Sequence, residues 1–140
     1  MNVDLAPTFL ELAGISKPSQ MQGYSFADIL KGKNVSWSRD KVFYEYYWEA
    51  AFPQTPTTFA IRTDRYKYIY YNGIWDINEL YDLQADPYEM NNLIRDTTYR
   101  KTGTEMRSEL FNWLQQTGGL QIPLKKVSGV RFDNLYKNTY

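Results

Sequence analysis

The sequence predicts an α+β fold, in which a four-stranded antiparallel sheet packs against a long C-terminal helix and short helices precede the sheet. Short runs of aromatic and β-branched residues, separated by turn residues, predict the strands between positions 42 and 83. Apolar residues at helical spacing predict the long helix over 97–117. With 43% hydrophobic and 17% aromatic residues, the 140 residues can bury one modest core.

The N-terminal part predicts two short helices. Asp4 is the expected N-cap of the first, which Gly14 ends, and Pro7 falls in the first turn, where a missing N–H costs nothing. Ser25 is the expected N-cap of the second helix, which ends at Gly32. Residues 1–40 are therefore expected to form a helical connector.

Four strands are predicted after this connector, over residues 42–48, 59–63, 66–71 and 79–83. Asp64 and Arg65 form the turn of a hairpin between the second and third strands. Asn72 and Gly73 are a turn dipeptide that precedes the fourth strand. Short connections of this kind predict antiparallel pairing throughout the sheet.

The predicted helix over 97–117 has one apolar face and ends at Gly118-Gly119. That face consists of Met106, Leu110, Trp113 and Leu114. We expect these side chains to be buried against one side of the sheet. Sheet and helix together span 41–120, and residues 121–140 form a mixed, polar tail.

Charge and residue usage exclude several classes of function. Sixteen basic and sixteen acidic residues leave a net charge of zero, which gives no basic field for nucleic acid. No apolar run approaches the ~20 residues of a membrane span. Cys and His are absent, so there is no disulfide, no thiolate or imidazole metal ligand and no imidazole for acid–base catalysis. We expect no nucleic-acid partner, no membrane partner and no cofactor or metal in this chain.

Four segments, in order along the chain, resemble the C-terminal part of the arylsulfatase-type, formylglycine-dependent sulfatases. The most specific is 78–93, NELYDLQADPYEMNNL, which resembles the family pattern ELYDL-x-x-DP-x-E-x-x-N-L. The others are 3–15 (VDLAPTFLELAGI), 21–26 (MQGYSF) and 52–57 followed by 61–69 (FPQTPT and IRTDRYKYI).

The resemblance implies that the parent enzyme hydrolyses sulfate esters with a formylglycine nucleophile and calcium, both held in a separate catalytic domain. Formylglycine is made from the Cys or Ser of a C/S-x-P-S/A-R motif, which this sequence lacks. The chain is therefore expected to be inactive alone, to buttress the catalytic domain and to shape the substrate cleft. The compartment stays open, although a periplasmic or secreted parent is compatible with the resemblance.

The loop over 48–57 is the candidate site for a sulfated sugar or glycan. Trp48 offers a ring for stacking, and Gln54, Thr55 and Thr57 offer amide and hydroxyl groups for sugar hydroxyls. In the family that the sequence resembles, the equivalent loop leans over the active-site mouth. Two alternatives remain open: an autonomous carbohydrate-binding module, or a purely structural domain in which the aromatic residues are core and the loop is merely rigid.

The predicted hairpin carries Arg62, Arg65 and Lys67, which could bind a sulfate or carboxylate. Exposed hairpin charges are the ordinary alternative. Lys67 could instead pair with Asp82 or Glu79 on the neighbouring strand.

The turn at Asp86-Pro87 is predicted to be structural and free of metal. The EF-hand pattern D-x-[DN]-x-[DN]-G is absent, and Pro87 interrupts any such loop. Asp86 and Glu89 are expected to accept hydrogen bonds from backbone N–H groups, which would otherwise be stranded in the turn.

Overall fold

A computed structural model describes residues 1–35, 39–49, 51–73 and 77–122 of the chain. The chain divides into two compact units, Met1–Ser38 and Arg39–Tyr140. The predicted α+β fold is confirmed: a four-stranded antiparallel sheet, a long C-terminal helix and short N-terminal helices. In the described part of the chain, no helix is long and apolar enough to cross a membrane.

The first unit contains helix α1 (Leu5–Leu12) and helix α2 (Ala27–Leu30). Asp4 stands at the N-cap position of α1, but its side chain makes no capping hydrogen bond there. Its buried carboxylate instead accepts the N–H of Tyr24, 20 residues away, at 2.8 Å. The predicted capping role of Asp4 is therefore wrong, because this carboxylate fastens the segment before α2.

The second helix is shorter than predicted and begins two residues after Ser25, at Ala27. The Ser25 hydroxyl still accepts the Ala27 N–H, at 3.1 Å. Gly14 and Gly32 follow the two helices with φ of 72° and 71°. That left-handed backbone favours glycine and explains why each helix stops near the predicted residue.

The second unit contains the sheet, whose strands are β1 (Lys41–Tyr46), β2 (Thr57–Thr63), β3 (Tyr66–Asn72) and β4 (Glu79–Asp82). They lie in the order β1-β2-β3-β4, and every neighbouring pair is antiparallel. Strand β1 ends before Trp48 and β2 begins two residues earlier than predicted. The connecting loop is therefore 47–56, and the predicted site over 48–57, called the 48–57 loop below, consists of most of this loop and the first residue of β2. The predicted tail lies outside the described residues from 123 onward.

Helix α3 (Arg100–Thr117) covers one face of the sheet. Residues 97–99 form a separate 3-10 turn, in which the Asp96 side chain caps the Thr98 N–H, so the α-helix starts three residues later than predicted. The helix ends at Gly118, with φ of 78°. The buried core consists of Phe59, Ile61, Tyr68, Leu80, Met106, Leu110 and Leu114.

Trp113 is only partly buried, in contrast to the other three residues of the predicted apolar face. Its ring stacks on Phe43 of β1, with centroids 4.5 Å apart and planes within 6°. It therefore lies at the border of the core. Alternate residues of the strands face away from α3, among them Tyr44, which is exposed.

Candidate functional site

The loop that joins β1 to β2 is anchored at its two ends by one hydrogen bond. The backbone N–H of Trp48 donates to the hydroxyl of Thr57, at 2.8 Å. Thr57 is buried and begins β2, where it pairs with Asn72 of β3. The strand thus fixes Thr57, and Thr57 fixes the point where the chain leaves β1.

Within the loop, two short turns are closed by backbone hydrogen bonds. Phe52 N–H donates to the Glu49 carbonyl and Thr55 N–H donates to the Phe52 carbonyl, each at 3.0 Å. The indole N–H of Trp48 donates to the Pro53 carbonyl at 3.2 Å. This last bond sets the Trp48 ring against the loop, in one orientation rather than free in solvent.

The loop presents a mixed aromatic and polar surface. Trp48 is 45% exposed and Phe52 is 59% exposed. Gln54 and Thr55, which follow Phe52 along the chain and precede β2, are also exposed. Aromatic faces beside an amide and a hydroxyl can stack on a sugar ring and bond its hydroxyls.

The four sequence-predicted contact residues therefore fall into two sets. Trp48, Gln54 and Thr55 lie on the exposed surface of one loop, whereas Thr57 is buried beneath it and its hydroxyl is engaged by Trp48. Phe52 was not among the predicted contacts, although it is exposed on the same loop. An aromatic residue directly before a proline in a long loop was the available signal.

The end of β1 is also fixed to the end of α3 through Tyr47. The Tyr47 hydroxyl donates to the Glu45 carboxylate and lies 3.0 Å from the Gly119 carbonyl. Its ring meets Phe59 edge-on, with centroids 5.8 Å apart. Burial, together with the hydrogen bond to Glu45, raises the pKa of Tyr47 to about 12. The hydroxyl therefore stays protonated at neutral pH and keeps the loop's starting point in place.

The hairpin charges pair differently from the predicted arrangement. Asp82 binds Arg65, with Nη2 2.9 Å from Oδ2, rather than Lys67. Lys67 pairs with Glu89 at 2.5 Å. The register explains the exchange, because Lys67 lies opposite Tyr81 and so faces the other side of the sheet from Asp82.

Glu79, the other predicted partner of Lys67, is already occupied. Its carboxylate accepts the hydroxyls of Tyr71 at 3.0 Å and Tyr81 at 2.9 Å. The third basic residue of the hairpin, Arg62, is exposed and makes no ion pair with any described residue.

The Asp86-Pro87 turn is held by side-chain contacts to the backbone, as predicted for Asp86 but not for Glu89. Asp86 Oδ2 accepts the Asn91 N–H at 2.8 Å. Glu89 has φ of 56°, and its carboxylate binds Lys67 instead of a backbone N–H. Asn92 provides the second side-chain acceptor for backbone donors, since its Oδ1 accepts the N–H groups of Leu80 and Ile94. In 1–35, 39–49, 51–73 and 77–122, no three His, Cys, Asp or Glu side chains converge on a metal position.

Comparison with known proteins places most of the chain in one family. A family model described as N-sulphoglucosamine sulphohydrolase, C-terminal, matches residues 1–116. The chain is 39% identical over 119 residues to an N-acetylglucosamine-6-O-sulfatase of Bacteroides thetaiotaomicron, which covers 84% of this chain and 21% of that protein. It is 36% identical over 118 residues to a Delta 4,5-hexuronate-2-O-sulfatase of the same organism, over 82% of this chain and 24% of that protein.

Solved structures give the same result. A protein in complex with its substrate D-glucosamine-2-N,6-O-disulfate superposes with a TM-score of 0.75 and is 35% identical. The match covers 90% of this chain and 26% of that one. The chain thus spans about a fifth to a quarter of the length of the curated relatives described above.

Proposed function

This chain belongs to the family of N-sulphoglucosamine sulphohydrolase C-terminal domains, and we propose that it works as the non-catalytic C-terminal part of a sulfuric ester hydrolase. Two roles follow from this proposal. The chain buttresses a catalytic portion, and its 48–57 loop forms part of the substrate cleft. Each role is supported by a different surface of the chain.

An apolar stripe on α1 carries the docking role. Leu5, Phe9 and Leu12 lie at helical spacing on one side of the helix, and all three are exposed, Phe9 by 64%. Single exposed apolar residues are ordinary, but a continuous stripe is typical of a surface that packs against a partner. The matched segment is only 21% of the N-acetylglucosamine-6-O-sulfatase, so in such an enzyme the remaining portion is available as that partner.

The nucleophile and the metal belong to that catalytic portion in our proposal. The residues of this chain fit neither group. The sequence has no Cys and no C/S-x-P-S/A-R motif, and its described carboxylates form no metal cluster. We therefore expect formylglycine and calcium to be supplied from outside this chain.

The proposed substrate is a sulfated sugar, and a sulfated amino sugar is the first to test. Two proteins similar to this chain are named or shown with such a compound, an N-acetylglucosamine 6-O-sulfatase and a complex with D-glucosamine-2-N,6-O-disulfate. The exposed Trp48 ring and the Gln54 amide of the 48–57 loop suit stacking on a sugar ring and hydrogen bonding to its hydroxyls.

A chimeric enzyme tests both roles. The matching segment of the Bacteroides thetaiotaomicron N-acetylglucosamine-6-O-sulfatase is replaced by the 140 residues of this chain, and hydrolysis of N-acetylglucosamine 6-sulfate is measured. We expect the chimera to be active and the 140-residue chain alone to show no turnover above a blank. Turnover by the chain alone would overturn the proposed absence of catalysis.

Charge placed in the stripe tests docking within the same chimera. Leu5→Asp and Phe9→Asp should lower soluble yield, melting temperature or activity, because each puts a carboxylate into a buried interface. Tyr88→Asp is the matched control, since Tyr88 is 85% exposed and lies outside the stripe. If the stripe variants behave like the control, the docking role is wrong.

An autonomous carbohydrate-binding module is the second candidate, and the exposed Trp48 and Phe52 rings favour it. It predicts that the chain alone binds unsulfated N-acetylglucosamine, and that Trp48→Ala abolishes this binding. If this candidate is right, Trp48→Ala in the chimera should leave docking and sulfate-ester turnover unchanged.

A further inference from the structure

The sheet-and-helix unit contains a cavity, and none of its lining residues belongs to the 48–57 loop. The cavity has a volume of about 400 Å³ and lies between β3, β4, the 93–99 segment and the start of α3. Ligand pockets in proteins are commonly about 300–1,000 Å³. The size therefore suits a monosaccharide or one unit of a longer chain.

Three arginines line this cavity: Arg95, Arg100 and Arg107. None of them forms an ion pair with a carboxylate in the part of the chain that the structure describes. The one acidic residue in the lining, Asp96, uses Oδ1 to accept the Thr98 N–H at 2.8 Å. The three guanidinium groups of the lining thus outnumber its one carboxylate, and the cavity has an excess of positive charge.

Arg107 is held in place by its neighbours. Its guanidinium carbon lies 4.7 Å from the centroid of Phe111 and 5.9 Å from that of Tyr70. Tyr68, a residue only 1% exposed, lines the same cavity. A planar fork oriented in this way loses little freedom when it binds an anion.

The start of α3 brings Arg100 to the same cavity. The 3-10 turn of residues 97–99 runs directly into the helix, and the Arg100 N–H donates to the Thr97 carbonyl. The backbone at this point is therefore already hydrogen-bonded, and the guanidinium groups of the lining carry the positive charge of the cavity.

We propose that this cavity binds the sulfate group of a sulfated saccharide, with Arg100 and Arg107 as its charged ligands. The saccharide class rests on the proposed function. The site is a second anion site, separate from the 48–57 loop, and it would hold a sulfate other than the one being hydrolysed. Arginine suits this role, because its fork donates two parallel hydrogen bonds to a sulfate-like anion.

A titration of the 140-residue chain, followed by ¹H–¹⁵N NMR, tests the proposal. The probe is D-glucosamine-2-N,6-O-disulfate, compared with N-acetylglucosamine and with inorganic sulfate. We expect saturable shifts at the amides of residues 95–107 with the disulfate only, and weaker binding at higher salt. No saturable shift there would overturn the site. Inorganic sulfate that binds as tightly as the disulfate would overturn the saccharide assignment.

Single substitutions test whether Arg100 and Arg107 are the ligands of the sulfate. Arg100→Gln and Arg107→Gln should each weaken disulfate binding by about tenfold, the loss of one charge-assisted hydrogen bond. Arg62→Gln is the matched control, since Arg62 is exposed and lies outside the cavity lining. Arg107→Lys keeps the charge without the fork and should recover only part of the affinity, with an unchanged melting temperature. If the control weakens binding equally, the effect is net charge and the proposal is wrong.

The two proposals fail separately. A chimera that is inactive while the titration is positive removes the sulfatase role but leaves the cavity as an anion site. An active chimera with a silent titration removes the cavity and leaves the sulfatase role.

Discussion

Arg65, in the turn between β2 and β3, donates to the carboxylate of Asp82 at the end of β4, with Nη2 2.9 Å from Oδ2. Asp82 is 2% exposed, and its other oxygen accepts the N–H groups of Gln84 and Ala85 at 3.2 and 3.4 Å. One carboxylate therefore joins the β2–β3 turn to the turn that follows β4. The bond from Arg65 holds the pKa of Asp82 below its ordinary value of 3.8.

Asp82→Asn should destabilise the fold. An amide cannot accept hydrogen bonds on both sides, so either Arg65 or the Gln84 and Ala85 N–H groups lose a partner. We expect the free energy of unfolding in urea at neutral pH to fall by about 1–3 kcal/mol. Asp64→Asn, in the exposed turn nearby, is the control and should change it by less than about 0.5 kcal/mol. Equal stability of the two variants would mean that the Asp82 contacts contribute nothing.

The same carboxylate predicts a pH dependence. Because the pKa of folded Asp82 is depressed, its contribution to stability is present above the unfolded pKa and is lost as pH falls through the folded pKa. The unchanged chain should therefore lose more stability than Asp82→Asn as the pH falls through the ordinary carboxyl pKa of 3.8 and below it. Urea unfolding at several pH values measures this difference. Parallel curves for the two proteins would contradict the prediction.

Replacing Gly103, within α3, and Gly119, just after the helix, by alanine should change the stability of the fold in opposite directions. A Cβ on Gly103 would lie 3.5 Å from Leu80 Cδ2, an ordinary contact, so Gly103→Ala should stabilise the helix by about 0.5–1 kcal/mol. A Cβ on Gly119 would lie 2.7 Å from Leu114 Cδ2 and 2.9 Å from Glu45 Oε2. Leu114 is fully buried, so Gly119→Ala should cost about 1–3 kcal/mol. A melting temperature that rises for both would show that the end of α3 has room for a Cβ, and one that falls for both would show that Gly103 has none.

Leu110 and Trp113 differ in burial, so their replacement by alanine should differ in its cost to stability. Leu110 is 0% exposed, and Leu110→Ala should cost about 2–5 kcal/mol. Trp113 is only partly buried and mainly loses its stacking on Phe43, an aromatic pair worth about 0.5–1.5 kcal/mol beyond its buried area. We therefore expect Trp113→Ala to be the milder change in chemical unfolding. The reverse order would place Trp113 at the centre of the core.

The sheet and the long helix could be predicted from the sequence because their signals are local. Turn dipeptides and a helical apolar stripe identify each element without knowledge of its neighbours. The partner of Lys67 could not be predicted from the sequence, because the choice between Asp82 and Glu89 depends on which face of β3 the Lys67 side chain occupies. That face is fixed only once the register with β4 is known.

The candidate site shows the same division. Exposure of Trp48 and Gln54 on a long loop could be predicted from composition and length. The burial of Thr57 could not, because it follows from pairing with Asn72 in β3 and from a hydrogen bond that spans nine residues. The arginine cavity was also missed, since its lining comes from two strands, a 3-10 segment and a helix.

The last prediction concerns how Thr57 positions the 48–57 loop. In the chimeric sulfatase, Thr57→Val removes the oxygen that accepts the Trp48 N–H, while keeping the volume of the buried side chain close to that of threonine. Without that bond the Trp48 ring loses its fixed orientation. We expect KM for N-acetylglucosamine 6-sulfate to rise by about 2–10-fold, the range of a lost aromatic contact, with kcat nearly unchanged.

Trp48→Ala should produce the same change in KM, because it removes the ring that Thr57 positions, whereas Trp48→Phe should recover part of the affinity.

Gln54→Ala should change the preference among sulfated sugars without changing the melting temperature, since its side chain is exposed. Thr63→Val, at the other end of β2, is the matched control: it also removes a hydroxyl that accepts a backbone N–H, that of Tyr66, and should leave both kinetic constants as they are. If Trp48→Ala and Gln54→Ala keep the original kcat/KM on every sulfated sugar, the loop has no part in recognition. If only Thr57→Val is silent, the ring reaches the substrate without the anchor, and the positioning role of Thr57 is wrong.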